Sequence, residues 1–114
     1  MKALAEGFNP EYHDDAPTRE EIDALDGIAV LEFGAPWCGH CLATRDAIHM
    51  AIDTIPGLRH IKVYDGKGKV LGRSYKVKLW PTLILLRNGE EVERLVRPVT
   101  VEDIRPALAR LQQG

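Results

Sequence analysis

Ile28-Ala29-Val30-Leu31-Glu32-Phe33-Gly34-Ala35-Pro36-Trp37-Cys38-Gly39-His40-Cys41 is the stretch on which the fold turns. Ile28 to Phe33 is a nearly continuous apolar run, the pattern of a strand buried on both faces. Glu32 alone interrupts it. From Cys38 to about Thr54 the pattern changes to a helix, with Leu42, Ile48, Ala51, Ile52 and Ile55 roughly on one side, and Pro56-Gly57 stops it. A buried strand therefore feeds a helix, and the chain's two cysteines, Cys38 and Cys41, stand where that helix begins.

Upstream, residues 1–17 mix Gly7, Pro10, Asp14, Asp15 and Pro17 with few periodic apolar positions, which predicts an irregular arm with an edge strand around Phe8–His13. Residues 18–114 form the domain proper. Thr18-Arg19-Glu20-Glu21 is a capping box opening a short amphipathic helix through Ile22 and Leu25, ending at Gly27. Downstream, Leu58 to Tyr64 alternates as a strand would, and Asp65 to Gly72 reads as a loop with a helical turn at Leu71–Tyr75. Thr82–Arg87, Asn88-Gly89 and Glu91–Val96 read as strand, tight turn and return strand. The last helix spans about Thr100 to Leu111, and Pro106 implies either a kink or a start near Asp103. This order places a parallel βαβ unit before an antiparallel hairpin and a closing helix. It is an α/β fold, a central mixed β-sheet of four or five strands flanked by helices.

At 114 residues the chain fits one domain, and 45% apolar residues can fill a core without disulfide staples or a structural metal. The net charge of −2 gives no electrostatic footprint for nucleic acid or an anionic membrane. Lys67, Lys69, Arg73, Lys76 and Lys78 are diluted by glycines and read as a solvated face. No apolar run approaches the ~18–20 residues needed to cross a bilayer. Glu6 and Gly7 interrupt the N-terminus before a signal-peptide core forms, so the expected location is cytoplasmic.

Two cysteines within four positions close almost no loop, so a disulfide scaffold is a poor reading. A structural zinc site needs about four ligands, and His13, His40, His49 and His60 lack ligand-like spacing. Neither a metal nor a cofactor is expected. Redox chemistry is the reading left. Helix N-terminal N–H groups and the helix dipole stabilise an anion, which points to Cys38 as the exposed nucleophilic thiolate. Cys41, one turn on and on the same face, is the resolving thiol. Gly39 keeps the approach open, and His40 can add positive charge beside the thiolate.

The segment Val30 to Cys41, followed by Trp80-Pro81-Thr82 and Asn88-Gly89, resembles the thioredoxin-like family, closest in its Cys-Gly-His-Cys motif to the domains of protein disulfide isomerases. The match covers about Thr18 to Leu111. The resemblance implies the thioredoxin fold, with Pro81 as a cis-proline beside the dithiol and Trp80 offering backbone hydrogen bonds to an extended substrate. It implies that Glu32 is the buried acid behind the resolving cysteine, its pKa raised by desolvation, so that its removal would stabilise the fold. Lys62 falls where the family often has a lysine partnering that acid. Asp46 stands where many relatives have a helix-kinking proline, and Arg97 where they often have a glycine that admits substrate backbone.

The function so implied is thiol–disulfide exchange with protein disulfides, net reductive in the cytoplasm. A thioredoxin reductase or a low-molecular-weight thiol would recharge a monomeric protein. The competing reading is a redox-inert or chaperone-like peptide-binding module using the Trp37/Trp80 surface. A third, a dedicated periplasmic oxidant, needs a leader.

Overall fold

The apolar run at Ile28 becomes the middle of the molecule because helices cover both of its faces. The computed structural model describes residues Met1–Gly114. Along the chain run β1 (Leu4–Glu6), α1 (Arg19–Asp23), β2 (Ile28–Gly34), α2 (Gly39–Ile52), β3 (Arg59–Tyr64), α3 (Val70–Ser74), β4 (Thr82–Arg87), β5 (Glu90–Val96) and α4 (Val101–Gln113). The five strands make one sheet in the order β1-β3-β2-β4-β5. β2 is parallel to β3 and antiparallel to β4, while β1 and β5 are antiparallel edges. This is the thioredoxin fold.

Side-chain alternation along β2 sorts the core. Val30 joins Leu83 and Leu85 against Ile48 and Ile52 of α2 and Ile104 and Leu108 of α4. Ala29, Leu31 and Phe33 join Ile61, Val63, Ile84 and Leu86 against Ile22 of α1 and Leu71 of α3. Each large apolar side chain buried this way contributes about 1.5–3 kcal/mol. Glu32 lies on the α2 side, at the end of β2 nearest the cysteines.

Several local expectations shift. The edge strand lies at Leu4–Glu6, ahead of Phe8–His13, and His13 makes a single parallel bridge to Val63. Helix α1 ends at Asp23 with Ala24 as its C-cap, short of Gly27. Leu42 does not join the buried side of α2 and is 61% exposed. His60 and Lys62, which the alternation of β3 would put in water, are buried. Helix α4 starts at Val101 under a Thr100/Asp103 capping box, with Pro106 inside it, so the later start near Asp103 is wrong. The cap satisfies the first-turn N–H groups before the chain reaches the proline. Helix α2 continues uninterrupted past Asp46. The Asn88-Gly89 turn has both φ angles positive, 51° and 80°, as a two-residue hairpin requires. A side chain at Gly89 would also run into the Asp23 backbone.

Candidate active site

Cys38 is the N-cap of α2, and its sulfur accepts a hydrogen bond from the Cys41 backbone N–H at 3.2 Å. The geometry follows from the sequence: the strand ends at Gly34, Ala35-Pro36-Trp37 turns the chain, and the first free helical N–H groups meet the sulfur. Both cysteines are thiols. Cys38 is 7% exposed, not open at the mouth as expected, because Ala35, Tyr64 and Trp80 pack around the pair. Gly39 and His40 are exposed, and Trp37 is 67% exposed. Trp37 stands edge-on to Trp80 with ring centroids 5.4 Å apart, so two indoles form a wall beside the sulfurs. Burial pushes the Cys41 thiol up to about 11, helped by its hydrogen bond with Cys38.

The Trp80–Pro81 peptide is cis. Thr82 pairs with Phe33, which sets Pro81 beside the cysteine end of β2. The Trp80 indole N–H donates to Asp65 Oδ2 at 3.0 Å. The Trp80 carbonyl is already occupied: Arg97 Nε donates to it at 2.7 Å. Arg97 has φ 51°, a left-handed conformation that glycine adopts more cheaply, and its backbone N–H donates to the Pro81 carbonyl at 2.9 Å.

Glu32 is 1% exposed, directly behind the dithiol strand. Its Oε1 lies 2.8 Å from His60 Nε2, and its Oε2 accepts the Tyr12 hydroxyl. The Asn9 backbone N–H, which can only donate, meets His60 Nδ1 at 2.9 Å. That contact makes Nδ1 an acceptor and places the ring proton on Nε2, aimed at Glu32. Burial alone would raise the Glu32 carboxyl. The hydrogen bonds from His60 and Tyr12 and the positive charge of Lys62 outweigh it, holding the group below the ordinary carboxylate value. The expected upward shift is thus reversed, because His60 and Tyr12 supply donors to both carboxylate oxygens.

Lys62 is buried and opposite Glu32 in the β2–β3 register, yet it makes no ion pair with it. Its ammonium lies 4.4 Å from the Tyr12 ring centroid and 3.4 Å from the Pro10 carbonyl oxygen. Burial lowers its pKa, opposed by the Glu32 charge. Asn9, Tyr12 and His60 are not among the site residues to which the sequence points. The signal available was weak: His60 and Lys62 lie two apart on β3 and so share the face of Glu32.

A dithiol at the N-terminus of the helix that follows the central strand, with a cis-proline beside it, defines a thioredoxin-fold dithiol protein. The comparisons with known proteins agree. The Thioredoxin family model matches residues 10–110, and the chain belongs to the thioredoxin family. Thioredoxin H2 of Arabidopsis thaliana is 29% identical over 76 residues, covering 67% of this chain and 57% of that protein. A protein disulfide-isomerase of Datisca glomerata is 27% identical over 106 residues, covering 78% of this chain and 21% of that protein. The reduced thioredoxin 2 of Pseudomonas aeruginosa PAO1 superposes with a TM-score of 0.82 at 44% identity, covering 90% of this chain and 96% of the other. The match thus spans less than two thirds of that plant thioredoxin and a smaller share of the isomerase. No helix is long and apolar enough to cross a membrane.

Proposed function

We propose that the protein is a thiol–disulfide oxidoreductase that exchanges its Cys38/Cys41 dithiol with disulfides of protein substrates. The observation that carries this reading is the Cys41 N–H bond to Cys38 Sγ at the N-terminus of α2, a fixed donor for a sulfur anion. In the reductive direction the Cys38 thiolate attacks one sulfur of the substrate disulfide. The other substrate sulfur leaves as a thiolate and takes a proton from water. Cys41, once deprotonated, attacks Cys38 Sγ, and the second substrate sulfur departs. The substrate gains two electrons, and the protein ends with a Cys38–Cys41 disulfide.

In this reading Trp37, Gly39 and the Trp80-Pro81 segment receive an extended substrate, with Arg97 tuning access to the Trp80 carbonyl. His40 biases the redox poise, Glu32 receives the Cys41 proton, and Lys62 balances its charge. The net direction is reduction, in the cytoplasm. The protein acts as a monomer recharged by a thioredoxin reductase or a low-molecular-weight thiol. A redox-inert binding module would use the tryptophan wall but needs neither sulfur nor the buried carboxylate behind them.

Insulin reduction with dithiothreitol, and with thioredoxin reductase and NADPH, tests the reading. Wild type should reduce insulin and Cys38→Ser should not. Equal activity in the two would refute it.

A further inference from the structure

Each Glu32 oxygen already has a hydrogen-bond partner, and neither is hydrogen-bonded to Cys41. Oε1 is taken by His60 and Oε2 by Tyr12. His60 has no spare lone pair, because Nδ1 accepts from Asn9 and Nε2 carries the proton. The polar group that lies against both is the Tyr12 hydroxyl, which donates to Glu32 Oε2, while its side chain packs against the Cys38–Cys41 cluster. Gly34 makes room for this contact: a Cβ there would lie 2.5 Å from the Tyr12 hydroxyl oxygen and 2.7 Å from Cys41 Sγ. Tyr12 comes from the segment before the first helix. That segment is tied down by β1 pairing with β3, by Asn9 on His60, and by Phe8 stacked on His49 at 4.1 Å. Tyr12 also walls a cavity of about 340 Å³ with Pro10, Cys41, Arg45 and Lys62, so the relay lies beside a route to solvent.

We propose that the Tyr12 hydroxyl relays the proton of the Cys41 thiol to Glu32, so that the N-terminal arm supplies a working part of the resolving step. The inference rests on the exchange reading above and deepens it. As Cys41 attacks Cys38 Sγ of the mixed disulfide, the Cys41 S–H proton passes to the Tyr12 oxygen and the Tyr12 O–H proton passes to Glu32 Oε2. The transfers are coupled to S–S bond formation, so Tyr12 ends as a phenol, Glu32 as a carboxylic acid and Cys41 in the disulfide with Cys38, while the second substrate sulfur leaves as a thiolate. Burial and the adjacent carboxylate keep the phenol far from ionising, so the two transfers move together and no phenolate is left behind. Glu32 later returns its proton by way of Tyr12, which lines the cavity, to water.

The test separates attack from resolution. Wild type, Tyr12→Phe, Glu32→Gln and the double variant are mixed with a peptide carrying a chromogenic mixed disulfide, and the release of the first and second thiols is followed from pH 6 to 10. Tyr12→Phe should release the first thiol at the wild-type rate and the second on the order of ten-fold more slowly. Its resolving step should recover at high pH, where hydroxide replaces the relay. The double variant should be no slower than the worse single, since both residues serve one path. Resolution in Tyr12→Phe within about two-fold of wild type across the pH range, or losses that multiply in the double variant, would overturn the relay while leaving the exchange reading intact. Absence of first-thiol release from wild type would overturn both.

Discussion

Arg97 Nε donates a 2.7 Å hydrogen bond to the Trp80 carbonyl oxygen, the acceptor that an extended substrate strand would otherwise reach beside the cis-proline. Substrate and guanidinium compete for one oxygen. Removing the side chain exposes that acceptor, and one hydrogen bond is worth about 1 kcal/mol, or roughly five-fold in affinity. Arg97→Ala should therefore lower KM for a disulfide peptide several-fold with kcat nearly unchanged. Arg97→Gly should do the same and also relieve the left-handed backbone at φ 51°. Steady-state kinetics check this; an unchanged or raised KM would mean that the guanidinium helps to hold substrate.

The lowered Glu32 carboxyl sets the direction of a stability effect. Its folded value lies below the ordinary value of about 4.3, so the ionised group contributes stability that is complete above about pH 6 and is lost as pH falls through the folded value. Wild type should thus melt above Glu32→Gln at pH 7, with the gap closing below about pH 4. Glu32→Ala strands the His60 N–H and the Tyr12 hydroxyl and should cost about 1–3 kcal/mol. Thermal melts across pH decide it, and a Glu32→Ala protein more stable than wild type would show that desolvation dominates.

Cys41 at about 11 stays a thiol at neutral pH. Limiting iodoacetamide at pH 7 should label Cys38 first, as read by peptide mapping. Alkylation of Cys41 in a Cys38→Ala background should rise only as pH approaches about 10. Early labelling of Cys41 would exchange the two roles.

His40 is exposed in the turn between the sulfurs. Positive charge on the imidazole there favours the thiolate and so makes the disulfide a stronger oxidant. The expected potential is on the order of −200 to −250 mV, above thioredoxin's, and His40→Pro should lower it by about 30 mV or more. Equilibration with dithiothreitol and glutathione buffers measures both, and no shift on substitution would remove His40 from control of the poise.

The dithiol, its helix, the central strand and the Asn88-Gly89 hairpin could be read from the sequence because each is a local pattern: a period, a cap or a turn pair. The Tyr12–Glu32–His60 cluster could not. Asn9 and His60 are 51 residues apart, and Tyr12 and Glu32 are 20. Their meeting depends on the three-residue β1, whose pairing with β3 carries an aperiodic segment past the back of the dithiol. The same packing buries His60 and Lys62 on a strand whose alternation suggests a wet face. Glu32 stands out in the sequence by breaking an apolar run, yet the direction of its pKa shift depends on His60 of β3 and on Tyr12 from that distant segment.

The central claim is that Cys38 attacks and Cys41 resolves, and trapping tests it most directly. Cys41→Ser, incubated with an excess of a disulfide-bonded protein substrate such as insulin and quenched with acid, should accumulate a mixed disulfide that mass spectrometry locates at Cys38 and that dithiothreitol releases. Wild type should show it only transiently, and Cys38→Ser should show none. A stable adduct on Cys41 in the Cys38→Ser protein, with none on Cys38 in Cys41→Ser, would contradict the account.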